Sequence, residues 1–533
     1  AVVHAVAYEF AFPVDLNMPF LVLTDKRRKT GPSANCCATA WTTAAQDDTI
    51  ASMAVVAGNI ALTPAQIKAI LDEPTQEVAT LLTEYHRHKA PQPTAVVYPV
   101  EQSVFKFQHY PSLYDPDVTC SVIPYMTPVA LGAYAPSNCL NNDKAAIEGR
   151  LNSVKRDDIH MTPEILMYAK EFSEFIVPAN MAGTGVPVDL STVHDKQPRP
   201  TQRMILNRAE QSADVSSDQP ISSFQKSEVY EKPTDPRIIS TLPGVTKLNY
   251  SSYMYGFAPT LENTKWYAFC RSPQAVAQRV ADIARGAERL LMTDLSRFDG
   301  RVSPLLRHLE KIVLMRHFHS KHHQELLELI NKQQHQKGYT KFGVKYDSGT
   351  SRPSGSPETA LLNSLDNAFM AYLALRRSGC TPRAAWERLG VYGGDDGITP
   401  DVDASIYTKA CADVGQVLEV DEVKRGDYGV TFLARYYSPE VWHGATDSIC
   451  DISRQVTKLH TTVSLPSNVT PLQKFAEKMF AFWLTDKNTP IVGPISRCLV
   501  ENFPDLVPKK LGELRGVAHY AATAGMEHGG QYP

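Results

Sequence analysis

The chain has 533 residues, 43% hydrophobic and 21% charged, with a formal net charge of −3. That length predicts about two to four subdomains. The composition excludes disordered, fibrous and disulfide-dense classes, no apolar run approaches the length of a membrane helix, and the acidic balance excludes an overall basic surface. An interior channel lined locally by Arg and Lys is still allowed. The nine cysteines are scattered, without a C-x2-C pair or zinc spacing, which fits reduced thiols in a cytosolic setting. The chain opens Ala-Val-Val-His, with no initiating Met and no signal peptide, and reads as a piece of something longer.

Residues 1 to about 150 carry no recognisable chemistry. Lys26-Arg27-Arg28-Lys29 reads as a solvated turn or as an RNA or membrane contact, and Asp25 to Arg28 fits a D-x-x-R pattern too short to use. Thr63-Pro64 opens a helix, and 86–142 reads as a loop-rich layer or as interdomain packing. Thr162-Pro163-Glu164 starts a helix that runs to about Val177 and stops at Pro178. Lys196, Arg199, Arg203 and Arg208 form a basic patch, read either as a surface loop or as a template contact. Next comes an extended, proline-punctuated stretch with Lys226, Glu228, Lys232 and Arg237. Its lysines either block a solvated edge strand or converge on phosphate.

Ser272-Pro273 caps a helix to about Arg285, which feeds a short buried strand, Arg289 to Thr293, with Asp294 at its C-terminal end. Residues 303–335 read as one or two helices. Their His317, His319, His322 and His323 look more like a polar helical face than a metal set. Gly338 to Tyr346 alternates like a hairpin. Ser354-Gly355-Ser356-Pro357 is a flexible loop before a helix running to about Ser378, on which Thr359 and Asn363 share one face. That polar stripe is either cap and decoration or a hydrogen-bonding surface turned to a ligand. A helix from Thr381-Pro382 leads to Val391-Tyr392-Gly393-Gly394-Asp395-Asp396-Gly397-Ile398, a hairpin with two adjacent carboxylates at its turn.

Two such acids repel unless a cation lies between them, which makes them a hard-oxygen site suited to Mg²⁺. If the Asp294 strand lies beside this hairpin, three carboxylates converge and could serve two divalent ions. Asp299, past the strand end, would face a ligand. Further on, 404–414 is helical, 415–423 is strand-like, and Tyr428 to Tyr437 is an aromatic hairpin containing Arg435. Beyond 440 a mainly helical region is expected, with Arg454 and Lys458 four apart, and the Gly- and Ala-rich end reads as poorly ordered.

In order and spacing these stretches resemble the palm of viral RNA-dependent RNA polymerases. Asp294 and Asp299 match motif A (D-x4-D). Ser354, Gly355, Thr359 and Asn363 match motif B (S-G-x3-T-x3-N), and Gly394-Asp395-Asp396 matches motif C. The 226–237 stretch resembles motif F and the 428–437 hairpin motif E. Thr-Asp-Leu-Ser-Arg-Phe-Asp-Gly, Ser-Gly-Ser-Pro-Glu-Thr and Tyr-Gly-Gly-Asp-Asp-Gly look like insect nodavirus RNA replicases.

The resemblance implies an α+β right-hand fold of fingers, palm and thumb with an N-terminal loop-rich extension. Residues 1–150 would be that extension, 151–288 and 300–356 fingers, 289–299 and 357–438 palm, and 439–533 thumb and tail. It implies Asp294, Asp395 and Asp396 as ligands of two Mg²⁺ (or Mn²⁺) ions, and Asp299 and Asn363 as readers of the ribose 2′-hydroxyl. Ser354 and Gly355 would flex. Lys226, Lys232 and Arg237 would touch the nucleotide, with Glu228 orienting one of them. Lys424 is either a proton donor to pyrophosphate or a surface residue. Arg199, Arg203, Arg435, Arg454 and Lys458 would meet RNA. The partners implied are RNA template and product, ribonucleoside triphosphates, and further copies of the chain in a complex on the cytosolic face of the mitochondrial outer membrane, anchored outside this chain. Two alternatives stand beside this reading: a reverse-transcriptase-like polymerase, and a replication-organelle scaffold with a palm fold.

Overall fold

The structure is a computed structural model. It describes residues 121–506 apart from 127–128, 131–132, 198–199, 212–218 and 232–233, together with a few short strand segments before them. The expected features at 25–29 and Thr63-Pro64 lie outside the described residues, as does the chain end beyond 506. Contacts divide the chain into two compact units, one of 150–224 and 238–447, the other of 1–149, 225–237 and 448–533.

In the first unit, Thr162 caps α1 (Pro163–Ile176), its hydroxyl accepting from the Ile165 amide. Helices α2 (Leu190–Lys196) and α3 (Pro200–Gln211) follow, so the basic stretch, read either as a surface loop or as a template contact, is mostly helical. Strands β1 (Ile221–Gln225) and β2 (Ile238–Thr241) precede α4 (Gly244–Glu262) and α5 (Pro273–Gly286). Ser272 caps α5, accepting from Ala275 N at 3.1 Å. The chain continues through β3 (Arg289–Leu295), α6 (Pro304–His317), α7 (His323–Asn331) and the hairpin of β4 (Lys337–Thr340) and β5 (Lys345–Asp347). Then come α8 (Thr359–Arg377), α9 (Pro382–Glu387) and the hairpin of β6 (Val391–Gly393) and β7 (Asp396–Pro400). Last are α10 (Ala404–Asp413), β8 (Leu418–Lys424), and the hairpin of β9 (Val430–Phe432) and β10 (Arg435–Tyr437).

Two sheets organise this unit. One has the order β6-β7-β3-β8 and the other β5-β4-β1-β2. Helix α8 lies behind the first sheet and is buried on every side from Leu361 to Leu375, as expected of a helix threaded through a core. Phe172 of α1 packs against Phe369 and Tyr372 of α8 with ring centroids 5.4 and 5.3 Å apart. Arg376 of α8 closes the same side on Glu171, with Nε 2.9 Å from Oε2. The sheet is therefore backed by a rigid helix, and the side chains at its Asp294 end take their positions from it.

In the second unit, Leu140–Arg150, Pro471–Asp486 and Val492–Asn502 are helices, and Phe475, Met479, Ile495 and Leu499 form an apolar core. Thr470 makes a reciprocal capping box with Gln473. The helical character expected beyond 440 is met by the last two of these helices, which follow short strands at Ser448–Cys450 and Thr461–Thr462.

Candidate active site

Strand β3 lies beside β7, antiparallel, with Thr293 opposite Gly397 and Met292 opposite Ile398. One step further along that register brings Asp294 to Asp396, a cross-strand neighbour at roughly 5 Å between Cβ atoms. Gly394, at the hairpin turn, has φ +67°, a conformation that costs a Cβ-bearing residue and suits glycine. On its other side β3 pairs with β8, and Glu419 stands directly opposite Asp294. Glu419 carried no sequence signal; only the strand register reveals it. Asp294 is exposed, while Asp395 and Asp396 are half-buried.

The expected convergence of acids is met by the backbone but not by the side chains. Among the described residues no three His, Cys, Asp or Glu side chains are gathered into one metal-ligand set. Carboxylates on neighbouring strands repel one another, and a cation would draw them together. The donor set of Asp294, Asp395 and Asp396 is hard oxygen throughout, which fits Mg²⁺ or Mn²⁺ and not a soft ion.

Helix α8 holds the turn from behind. Ser364 Oγ accepts from Gly394 N at 2.8 Å. The Asn367 side-chain amide donates to Gly394 O and to Asp396 O, both at 3.1 Å. Neither residue was singled out from the sequence, because a Ser and an Asn on an apolar helix look like ordinary decoration.

One turn earlier on α8, the Asn363 side-chain amide donates to Asp299 Oδ1 at 2.8 Å, and Ser354 Oγ donates to Asp299 Oδ2 at 2.6 Å. Arg297, left-handed at φ 53°, turns the chain between Asp294 and Asp299. Asn363 Oδ1 is buried and has no hydrogen-bond partner among the described residues. Gly355 N donates to Ser240 O at 3.1 Å, and a Cβ on Gly355 would come within 2.4 Å of that oxygen. Ser356 Oγ donates to Gln333 at 3.0 Å, so the loop expected to be flexible is tied down at 354, 355 and 356.

Beneath the loop lies an ionic network that the sequence did not announce. Arg352, fully buried, pairs with Glu310, with Glu358 at 2.9 Å and with Asp366 at 3.0 Å. Arg307 pairs with Glu358 at 2.6 Å and Glu310 at 3.1 Å, and Tyr250 donates to Glu358 at 2.6 Å. Burial alone would raise Glu358, yet Arg307, Arg352 and the Tyr250 hydrogen bond hold it below the usual carboxyl range. Burial and the neighbouring Glu310 push Asp366 well above that range. Two guanidiniums facing three carboxyls balance when one carboxyl keeps its proton, and burial beside Glu310 favours the protonated form at Asp366. The Arg352 amide also donates to Asp299 O at 2.8 Å, which ties the network to the site.

Several expected site residues stand elsewhere. Thr359 gives its hydroxyl to Ser356 O at 3.0 Å and Pro353 O at 3.3 Å, so it closes the loop and does not join Asn363 at Asp299. Lys424 pairs with Arg289, at the far end of β3 from Asp294. Five residues of strand put it roughly 17 Å away, too far to protonate a group at Asp294. Arg199 and Lys232 lie outside the described residues, Arg203 is exposed on α3, and Arg435 is on β10. Among the histidines, His317 is buried, which lowers its pKa, and it contacts Thr260 at 3.3 Å.

In the second unit, Lys226 lies 3.0 Å from Glu228 and Arg237 3.5 Å from the same carboxylate. Glu228 thus lies within ion-pair distance of both cations, its Oε1 making no hydrogen bond among the described residues. Arg454 is exposed, whereas Lys458 is half-buried and its pKa is lowered by burial and by Arg454.

The comparisons agree with this geometry. A family model for viral RNA-dependent RNA polymerase matches residues 262–449. The RNA-directed RNA polymerase of Greasy grouper nervous necrosis virus is 34% identical over 70% of this chain and 38% of its own length, and that of Pariacoto virus 32% identical over 73% and 40%. The chain thus spans about two fifths of the curated relatives it matches. A crystal structure of the RNA-dependent RNA polymerase of a human picobirnavirus, an insertion-loop deletion mutant, aligns with a TM-score of 0.54 at 15% identity, over 74% of this chain and 82% of that one, which establishes the fold. The architecture is the α+β fold of viral RNA-dependent RNA polymerases, and the homologues of this chain, up to 34% identical over most of it, are nodavirus RNA-directed RNA polymerases.

Proposed function

We propose that this chain catalyses template-directed transfer of ribonucleoside monophosphates to an RNA 3′-hydroxyl, in replication of a positive-strand viral genome. The observation that carries this reading is the register that sets Asp294 beside Asp396 while α8 binds both the Asp395 turn and Asp299. Asp294, Asp395 and Asp396 would hold two divalent ions, which when bound supply charge neutralisation at the phosphates and acidify the 3′-hydroxyl.

The chain's own residues do the positioning. Ser364 and Asn367 fix the backbone on either side of Asp395, so its carboxylate starts from one place. Asp299, already engaged by Ser354 and Asn363, is fixed in orientation. The buried Asn363 Oδ1 awaits a donor, and a ribose 2′-hydroxyl is one. A deoxyribose leaves that oxygen unpaired, which penalises DNA precursors. Lys226 and Arg237, both within ion-pair distance of Glu228, are cations of the kind that binds a triphosphate. The reading extends to membrane attachment and self-association on the cytosolic face of the mitochondrial outer membrane. That extension rests on the family resemblance alone.

The test is extension of an RNA primer-template with ribo- and deoxyribonucleoside triphosphates in parallel. Strong preference for ribonucleotides is expected. Equal use of both would favour a reverse-transcriptase-like enzyme, and assembly without incorporation would favour a scaffold.

A further inference from the structure

The sheet β5-β4-β1-β2 has two unlike faces. Its inner face carries Tyr346, whose hydroxyl lies 2.5 Å from Ser223 Oγ and 3.2 Å from Ser240 Oγ, and the Ser240 carbonyl receives Gly355 N. This face is therefore joined to the loop that holds Asp299. The outer face is assigned no task by the mechanism above, and apart from Ser222 the exposed side chains of its two central strands are aromatic or basic.

Alternation sets which residues lie there. Along β4 the pattern is exposed Lys337, buried Gly338, exposed Tyr339, buried Thr340. Phe224 of β1 is on the same exposed side, and the β4–β5 turn adds Lys341 and Phe342, whose ring lies 5.6 Å from the Lys341 ammonium. Phe224, Tyr339 and Phe342 are 44%, 43% and 39% exposed, unusually open for large rings. The register places them together. Tyr339 is opposite Lys345 on β5 and beside Ser222 on β1. One residue pair past the last parallel partners, Lys341 comes beside Phe224, and its amide donates to Ser223 O at 3.0 Å. Asp347, opposite Lys337, is the acid of that stretch.

Residues two apart on a strand are spaced by roughly 6.6 Å. Lys337, Tyr339 and Lys341 thus set a ring between two ammonium groups at about the spacing of successive nucleotides in an extended strand. Exposed rings on a sheet offer stacking to unpaired bases, and flanking lysines offer charge to their phosphates. A protein partner would gain little from a face with this density of lysines, whereas a polyanion with stackable bases fits both parts.

We propose that this outer face binds unpaired RNA, stacking bases on Tyr339, Phe342 and Phe224 and drawing phosphates to Lys337, Lys341 and Lys345. The polymerase reading enters only in naming RNA as the ligand present. Because the inner face holds Gly355, strand bound outside lies one sheet thickness from the motif B loop.

The test is fluorescence anisotropy of a labelled oligouridylate of about 20 nucleotides with the whole chain, without nucleoside triphosphates, across a salt series. Tyr339→Ala with Phe342→Ala should weaken binding roughly tenfold or more, and Tyr339→Phe should restore most of it. Lys337→Gln, Lys341→Gln and Lys345→Gln together should flatten the salt dependence by about two units of slope. Melting temperature is followed in each, and since the altered side chains are exposed it should stay near that of the wild type. Affinity and salt slope unchanged in both folded variants would overturn the proposal and leave the face to a protein partner. The readout is separable from catalysis: Asp395→Ala should bind this RNA like the wild type. RNA binding that depends on the face in a chain unable to extend a primer would sink the polymerase reading and keep this one.

Discussion

The side-chain amide of Asn367 reaches across from α8 to the carbonyl of Gly394, 3.1 Å away, and so holds the turn that carries Asp395. The same amide takes the Asp396 carbonyl, and Ser364 takes the Gly394 amide hydrogen. Three backbone atoms around one carboxylate are fixed by one helix. Asn367→Ala should lower kcat by about tenfold to a hundredfold with little change in nucleotide KM, because positioning is lost and nucleotide contacts are kept. Steady-state extension kinetics check this, and a change confined to KM would count against the clamp.

Asn363 should govern sugar choice. With Asn363→Ala, the buried acceptor proposed to receive the 2′-hydroxyl is gone, and Asp299 loses a donor 2.8 Å away. The ratio of ribo- to deoxyribonucleotide incorporation should fall by about tenfold or more, mainly through slower use of ribonucleotides. Competition assays with one template read the ratio directly.

The buried network predicts opposite responses to pH at two carboxyls. Asp366 binds its proton more tightly in the folded chain, so its contribution is complete below the ordinary carboxyl value of 3.8 and is lost as pH rises toward the raised folded value. Asp366→Asn copies the protonated form, can donate to Glu310 and accept from Arg352, and should melt at or above the wild type at neutral pH. Glu358 is held below its ordinary 4.5, so its contribution is present above that value and is lost as pH falls through the lowered one. Glu358→Gln strips Arg307 and Arg352 of a partner and should cost about 3–5 kcal/mol at pH 7. Thermal melts between acid and neutral pH separate the two.

Gly355→Ala should act through the backbone. The added methyl would lie 2.4 Å from the Ser240 carbonyl oxygen, with no flexible end to move. The loop must shift, carrying Ser354 from Asp299. Nucleotide discrimination should fall together with stability, and Ser354→Ala should reproduce the first effect with little of the second.

Local signals made the elements legible. Thr162-Pro163, Ser272-Pro273 and Thr381-Pro382 each read as a helix start, and each hydroxyl is found capping the helix. The Asp395 hairpin and the Asp294 strand were equally plain, because turn glycines and short apolar runs are written into adjacent residues. What stayed hidden depends on partners far along the chain. Ser364 and Asn367 gain meaning only when the turn lies against α8. Arg352 looks like any loop arginine until Glu310, Glu358 and Asp366 surround it. Glu419 and Lys424 share one strand, and only its register shows which end meets Asp294.

The most direct measurement of the central claim is Mg²⁺-dependent extension of an RNA primer-template by the purified chain, with Asp395→Ala beside it. The account predicts template-directed ribonucleotide addition by the wild type, abolished by chelation and reduced on the order of 10³-fold or more in a variant that melts normally. Equal extension by the two proteins, or equal inertness of both under every divalent ion tried, would contradict it.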